Sequence, residues 1–130
     1  MRKFPKPMSD NKLIVINKAI DLFDYTLTKT SNRKKFPAKY RIIVERMQNI
    51  SIDIYKCLFE ANRKRLYIPE EKLKRNSLQT DAITYCDELN MFIETMMNHR
   101  LISARHCEEW SDKVKDVKYL TIAWRTNENG

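Results

Sequence analysis

The sequence predicts an all-α protein, an up-down-up-down antiparallel four-helix bundle. Apolar residues recur at steps of three and four along four long segments, the spacing that gives a helix one apolar face. Alternation by two, which is typical of strands, never extends beyond a few residues. Gly130 is the only glycine, whereas sandwiches, barrels and dinucleotide-binding folds use glycine at turns and phosphate loops. The length of 130 residues suits a single domain.

Helix 1 is predicted over residues 10–30, after a short basic arm at 1–9, with Ser9 or Asp10 as its N-cap. Its apolar stripe consists of Leu13, Ile16, Ile20, Phe23 and Leu27. Helix 2 is predicted over 37–66, because Pro37 suits a first helical turn, where its missing N–H has no partner to lose. Its stripe consists of Tyr40, Ile43, Met47, Ile50, Ile54, Cys57 and Ala61.

Helix 3 is predicted over 69–98, again with a proline in its first turn, and its stripe consists of Leu78, Ala82, Tyr85, Leu89, Phe92 and Met96. Helix 4 is predicted over 103–125, with Ser103 as N-cap and Ile102 packing on Cys107. Its stripe consists of Cys107, Trp110, Val114, Val117, Thr121 and Trp124, and we expect both tryptophans to be buried or to face another subunit. Residues 126–130 are expected to form a frayed tail. Short connections make successive helices antiparallel.

Charge is the strongest functional signal in the composition. The chain has 25 Lys and Arg against 17 Asp and Glu, a net charge of +8. Residues 1–65 hold 16 basic against 6 acidic residues, and residues 66–130 hold 9 against 11, so the N-terminal half carries the whole excess. Such an excess favours a polyanionic partner.

The chain has three cysteines, which cannot all form disulfides within one chain, and it has no Cys-x-x-Cys motif. This cysteine content favours a reduced, cytoplasmic protein. No apolar run is long enough to span a membrane, so no membrane partner is expected.

The basic residues concentrate at two predicted turns. The first basic cluster comprises Lys29, Arg33, Lys34, Lys35, Lys39 and Arg41. The second basic cluster comprises Arg63, Lys64, Arg65, Lys72, Lys74 and Arg75. A helix of about 30 residues places them about 45 Å apart, at opposite ends of the bundle. Both are predicted to contact nucleic-acid phosphates, although lysines also simply solvate exposed turns.

Aromatic residues next to these clusters could stack on bases, namely Phe36, Tyr40 and Tyr67. Tyr40 also falls on the apolar stripe of helix 2, which favours burial for that side chain.

Catalytic and metal-binding patterns are weak. No acidic residue has a histidine three positions later, as a di-iron bundle requires, and the two histidines fit no zinc spacing. We therefore expect no metal, no cofactor and no enzymatic activity. One competing hypothesis is a ribonuclease of the HEPN type, because Arg100 and His106 have the R-x5-H spacing of those helical nucleases. That resemblance would make His106 the acid or base and Arg100 the phosphate-stabilising residue.

Three stretches resemble a known family. They are Lys35-Phe36-Pro37-Ala38-Lys39-Tyr40-Arg41, the segment from Met47 to Ile54 followed by Glu60-Ala61-Asn62, and the start of helix 4 from Ile102 to Trp110. Together they are similar to the accessory variability determinant (Avd) proteins of diversity-generating retroelements, and to four-helix-bundle proteins encoded by intervening sequences of bacterial 23S ribosomal RNA genes. The likeness extends from about residue 12 to residue 124.

The Avd resemblance implies a bacterial or phage-encoded, non-enzymatic homopentamer. It implies binding to a reverse transcriptase and its template RNA, with DNA or an RNA–DNA hybrid as further partners, in adenine-directed mutagenic retrohoming. The resemblance places phosphate contacts on Arg33, Lys34, Lys35, Lys39 and Arg41. Residues 76–98 contain no Lys or Arg, unlike helix 3 of some family members.

Two alternatives stay open beside the ribonuclease. An intervening-sequence protein would share the fold and have an unknown role. A purely structural oligomeric adaptor would explain the apolar stripes, but it would leave the basic half of the chain unexplained.

Overall fold

Four long helices make up the described part of the chain. The computed structural model describes the backbone of residues 7–32 and 34–129, and the side chains of 14–32 and 34–129. Its elements are α1 (Pro7–Thr30), a short 3-10 helix (Ala38–Tyr40), α2 (Arg41–Arg63), α3 (Pro69–Asn98) and α4 (Ala104–Asn129). All secondary structure within these residues is helical, which confirms the all-α prediction.

The helices pack in a ring. Each helix packs on the next along the chain, and α1 also packs on α4, so that α1 and α3, like α2 and α4, lie across the core from each other. The core between them contains mostly Leu, Ile, Val, Met and Ala side chains, with two tryptophans and two cysteines. Burial of this shared apolar face is what holds long helices together, because isolated helices are marginal in water.

The helix limits correct the predictions at three places. α1 begins at Pro7, so part of the expected basic arm is helical; residues 1–6 lie outside the described residues. Pro37 precedes a 3-10 turn, and α2 itself runs only from Arg41 to Arg63. The expected frayed tail is wrong for residues 126–129, because they form the last turn of α4. α3 matches its predicted limits.

The apolar face of α1 differs from the predicted stripe. The buried face consists of Val15, Ala19, Leu22, Thr26 and Thr30. The predicted residues Ile20 and Leu27 are 45% and 40% exposed, while Ile16 and Phe23 are half-buried. The side chain of Leu13 lies outside the described residues. Two threonines therefore occupy the core, whereas the more hydrophobic residues that the sequence predicts to be buried lie on a more exposed side of α1.

The remaining stripes agree better. All six predicted residues of α4 are buried, including Trp110 and Trp124. In α3 the core takes Ala82, Leu89 and Met96 as predicted, but it also takes Arg75 and Gln79. The predicted Leu78, Tyr85 and Phe92 are half-buried beside the core. In α2 the prediction holds for Met47, Ile50, Ile54 and Ala61, while Leu58 replaces the half-buried Cys57.

The ring has two distinct ends. The α1–α2 and α3–α4 connections share one end, where the Tyr40 and His99 rings meet at 6.0 Å between centroids. The α2–α3 connection lies at the other end, together with the last turn of α4, since Arg75 pairs with Glu128 there. α2 has 23 residues, so the two ends are about 35 Å apart, less than the sequence predicts. No described helix combines the length and the apolar character needed to cross a membrane.

Candidate nucleic-acid interface

Asn32 shapes the loop that carries the first basic cluster. Its side-chain Oδ1 accepts hydrogen bonds from the backbone N–H groups of Lys34 and Lys35, at 3.0 and 3.4 Å. Its carbonyl oxygen accepts from the N–H of Phe36 at 3.0 Å. Asparagine favours such local turns because its short side chain can bond backbone two residues on. Phe36 is only 7% exposed and fixes the far end of the loop in the core.

The first basic cluster is accessible and carries free charge. Lys34, Lys35, Lys39 and Arg41 are exposed, and Lys29 is half-buried with its Nζ 5.3 Å from the Tyr25 ring centre. Arg33 lies outside the described residues. None of the five described side chains joins an ion pair with a described carboxylate. Their charge therefore remains available to an anion in solution.

The second basic cluster is partly neutralised. Arg65 and Glu71 form a bidentate ion pair with a shortest N–O distance of 2.6 Å. Hydrogen bonds from Arg65 lower the pKa of Glu71 to about 2. Arg63, Lys74 and Arg65 are exposed, and Lys64 and Lys72 are half-buried. This end keeps some positive charge, but carboxylates now stand among it.

Arg75 corrects the prediction for the second basic cluster. Its side chain is 2% exposed, and its guanidinium donates to Glu128 and to the backbone oxygens of Ala61 and Lys64. The same group lies 5.0 Å from the Trp124 ring centre. A guanidinium with these partners is unavailable to phosphate, so Arg75 is a core residue.

The fold adds residues to the first cluster that the sequence pattern did not assign to it. His99, Arg100 and Arg105 are exposed around the α3–α4 connection, at the same end as Lys39 and Arg41. Arg105 pairs loosely with Glu109 at 3.5 Å, one turn further along α4. The predicted up-down-up-down order was a sufficient signal, because it already brings the first and third connections to one end.

Arg100 has an unusual backbone. Its φ of 61° makes it the non-glycine residue with positive φ among those described. The N–H groups of Arg100 and Leu101 bond the carbonyl oxygens of Met97 and Met96, which is the Schellman ending of an α-helix. Glycine normally occupies this position because a Cβ atom is disfavoured there. The chain thus keeps a charged side chain where glycine would be more stable.

The aromatic residues divide between core and surface. Phe36 is buried, so its predicted role in base stacking is wrong. Tyr40 is half-buried between His99 and Lys39, whose Nζ lies 5.2 Å from its ring centre. Tyr67 is 79% exposed beside Arg65 at the other end.

Arg100 and His106, the two residues of the ribonuclease hypothesis, lie on either side of the start of α4. Ser103 Oγ accepts a hydrogen bond from the His106 N–H at 3.1 Å, which confirms the predicted N-cap of α4. The cap lies between Arg100 and His106, and no hydrogen bond joins these two side chains among the described contacts. Among the described residues, no three His, Cys, Asp or Glu side chains group closely enough to hold a metal ion.

The cysteines behave as packing residues. Cys86 and Cys107 are buried and Cys57 is half-buried, and all three are free thiols. Burial, followed by the charge of Asp87, raises the pKa of Cys86 to about 12. Burial, followed by the charge of Asp81, raises the pKa of Cys57 to about 11. Neither thiol is ionised at neutral pH, as a nucleophile would need to be.

A cleft opens between the end of α1 and the start of α2, which we call the turn cleft. It has a volume of about 520 Å³ and is lined chiefly by Thr30, Phe36, Arg41, Val44, Glu45 and Gln48. Gln48 Nε2 donates to Thr30 Oγ1 at 2.8 Å, and Thr30 Oγ1 donates to the Thr26 carbonyl at 2.7 Å. The cleft therefore combines an apolar wall with fixed polar groups, directly beside the first basic cluster.

No protein-family model, curated protein or solved structure matches this chain. The resemblance to Avd proteins therefore depends on the sequence motifs.

Proposed function

We propose that this protein is a non-enzymatic, oligomeric RNA-binding accessory protein whose α1–α2 end holds the RNA backbone. The observation that carries the proposal is the state of the first basic cluster, in which Lys34, Lys35, Lys39 and Arg41 are exposed with no described acidic partner. These side chains would neutralise RNA phosphates and release the counterions condensed on the RNA, which favours binding at low salt.

The neighbouring loop supports the same surface. Arg100 and Arg105 add two guanidinium groups, and the paired Tyr40 and His99 rings stand between the two connections. Cations alternating with aromatic rings suit single-stranded RNA, whose bases stack on aromatic faces while its phosphates are neutralised. The opposite end is the weaker candidate because Glu71 and Glu128 neutralise two of its arginines.

Two triple variants with equal loss of charge test the location. We expect the variant with Lys34, Lys35 and Lys39 replaced by Ala to lose most of its affinity for single-stranded RNA at low salt. Its slope of log K against log salt should shrink by about 2, because each lost phosphate contact on a single strand contributes about 0.7.

The matched control replaces Arg63, Lys72 and Lys74 by Ala at the opposite end. We expect this variant to keep most of the wild-type affinity and slope in fluorescence anisotropy titrations. Equal losses in the two variants would mean that net charge, rather than the α1–α2 end, governs binding.

Self-assembly is the second part of the proposal. Ile20 and Leu27 of α1 and Phe59 of α2 are each at least 40% exposed, and Ile16 and Phe23 add half-buried apolar area on the same side of α1. Phe59 also stacks on Tyr55 at 5.7 Å. Large apolar side chains exposed on one side of a helix commonly mark a contact with another chain. We assign this face to the pentamer that the Avd resemblance implies.

Light scattering tests the assembly, and we expect a mass near five times that of the 15.6 kDa chain. Replacing Ile20 and Leu27 by Asp should yield a helical monomer. Ile14 is 44% exposed on another side of α1, so Ile14→Asp is the control and should leave the assembly intact. A monomeric wild-type protein would contradict this part.

The particular partner follows from the family resemblance. We propose that the protein binds a reverse transcriptase and its template RNA in a diversity-generating retroelement, and supports mutagenic retrohoming. A neighbouring reverse transcriptase gene, flanked by template and variable repeats, would support this assignment. Location within a 23S ribosomal RNA gene would instead favour the intervening-sequence alternative.

A further inference from the structure

We propose that the turn cleft binds one unpaired guanine base of the RNA held by the first basic cluster. This inference depends on the proposed RNA-binding function and deepens it, because it gives the α1–α2 end a preference for one base. The cleft volume of about 520 Å³ lies within the range of small-molecule sites and can accommodate a nucleobase with its ribose.

Hydrogen bonds with Thr30 fix the orientation of the Gln48 amide. The Thr30 hydroxyl donates its only hydrogen to the Thr26 carbonyl, so it can only accept from Gln48. This fixes Nε2 of Gln48 toward Thr30 and leaves Oε1 free as an acceptor. Oε1 accepts no hydrogen bond among the described contacts, although Gln48 lines the cleft.

Glu45 provides the second acceptor. It lies three residues before Gln48 in α2, so both side chains lie on the same side of the helix, and both line the cleft. Glu45 is exposed and joins no ion pair with a described residue. A carboxylate is an acceptor only. Gln48 Oε1 and the Glu45 carboxylate therefore offer two acceptors on one side of α2, beside the second N–H of the Gln48 amide.

Guanine is the base that complements this pair. Its Watson–Crick edge presents two adjacent donors, the N1–H and the N2 amino group. Adenine and cytosine each present one donor beside an acceptor, and uracil presents one donor between two acceptors, so each offers a single donor where Glu45 and Gln48 Oε1 can accept two. Unmatched polar atoms of this kind are costly once water is excluded.

The remaining walls suit a base and its phosphate. Val44 supplies apolar surface, and Arg41 at the mouth supplies a guanidinium within the first basic cluster. RNA-binding proteins commonly take up unstacked bases in this way, reading the base edge while cations hold the backbone.

Hairpin RNAs with a single bulged nucleotide test the inference. We expect the guanosine bulge to bind about tenfold more tightly than the adenosine or uridine bulge. An inosine bulge, which lacks the N2 amino group, should bind with intermediate affinity. Glu45→Gln and Val44→Phe should each abolish the preference, the first by replacing an acceptor oxygen with an N–H donor and the second by filling the cleft.

Ile42→Phe is the matched control, since Ile42 is 82% exposed and does not line the cleft; it should keep the preference. Circular dichroism checks that all variants fold, and Glu45→Gln serves the test if Val44→Phe does not. Equal affinity for all bulges with an unchanged salt slope would overturn the guanine site and leave the proposed function standing. No RNA binding even at low salt would overturn both.

Discussion

Arg75 and Glu128 form a fully buried ion pair that connects α3 to the last turn of α4. The Glu128 side chain is 0% exposed and accepts from Arg75 Nε at 2.9 Å, from Gln79 Nε2 at 3.2 Å and from Trp124 Nε1 at 2.5 Å. Arg75 uses its remaining nitrogen on carbonyl oxygens at the end of α2. One ion pair thus holds three helices together at the α2–α3 end.

We expect Glu128→Gln to lower the free energy of unfolding by about 3 kcal/mol, because a buried guanidinium would lose its counter-charge. Urea unfolding followed by circular dichroism measures the change. Glu108 is exposed on the same helix and joins no ion pair with a described residue. Glu108→Gln is therefore the control and should change stability by less than about 0.5 kcal/mol. Equal stability of the two variants would contradict the structural role of the pair.

The same pair predicts how stability depends on pH. Burial opposes ionisation of Glu128, but the hydrogen bonds and the charge of Arg75 outweigh it and lower the pKa of Glu128 below its ordinary 4.5. A lowered carboxyl pKa stabilises the folded state fully above the unfolded pKa, and this contribution is lost as the pH falls. The stability gap between wild type and Glu128→Gln should therefore be widest above pH 4.5 and narrow in acid. A gap that widens in acid would contradict a lowered pKa of Glu128 in the folded state.

The four helices can be predicted from the sequence because their apolar spacing is local, but this ion pair cannot. Arg75 and Glu128 are separated by 53 positions, and each looks like a surface residue when burial is judged from residue type. Because Glu128 looks like a surface residue, the sequence gives no sign that the last turn of α4 is anchored in the core.

The buried face of α1 also cannot be predicted from hydrophobicity alone. Two interleaved series have helical spacing there, and hydrophobicity favours the one containing Ile16, Ile20 and Leu27. The core instead takes the series with Thr26 and Thr30, because Trp110 and Gln48 satisfy their hydroxyls. These hydrogen bonds come from other helices, so no local pattern predicts them.

Thr26 supports Trp110, and we expect its removal to destabilise the core. Trp110 Nε1 donates to Thr26 Oγ1 at 3.1 Å, and both side chains are 0% exposed. Thr26→Val keeps the shape but leaves the indole N–H without a partner, which costs about 1 to 3 kcal/mol. Thr121 is equally buried and bonds only the Val117 carbonyl of its own helix. Thr121→Val should therefore cost less in thermal unfolding, and a larger cost would contradict the role of the Trp110 bond.

Replacing Arg100 should change the stability of the fold and its affinity for RNA in opposite directions. Arg100→Gly relieves the positive φ, which we expect to stabilise the fold by about 1 kcal/mol and raise the melting temperature by about 4 °C. The same change removes a cation from the α1–α2 end and should weaken RNA binding. Arg100→Asn is the comparison, because asparagine tolerates this backbone without charge. A variant with unchanged RNA affinity would remove Arg100 from the interface.

The candidate site could be predicted in part. The first basic cluster is contiguous in sequence and needs only a turn between helices to become one surface. Placing Arg100 and Arg105 on the same surface also requires the order of the helices. The turn cleft cannot be predicted from the sequence, because it depends on the hydrogen bond between Gln48 and Thr30 in the folded structure.

Crosslinking tests the central claim most directly. Formaldehyde joins lysine amines to bound RNA, and mass spectrometry of the digested complex identifies the lysines involved. We predict crosslinks at Lys34, Lys35 and Lys39 that disappear at high salt, with few at Lys72 and Lys74. Crosslinks concentrated on Lys72 and Lys74, or none on the wild-type protein at low salt, would contradict the assignment of the α1–α2 end as the RNA-binding surface.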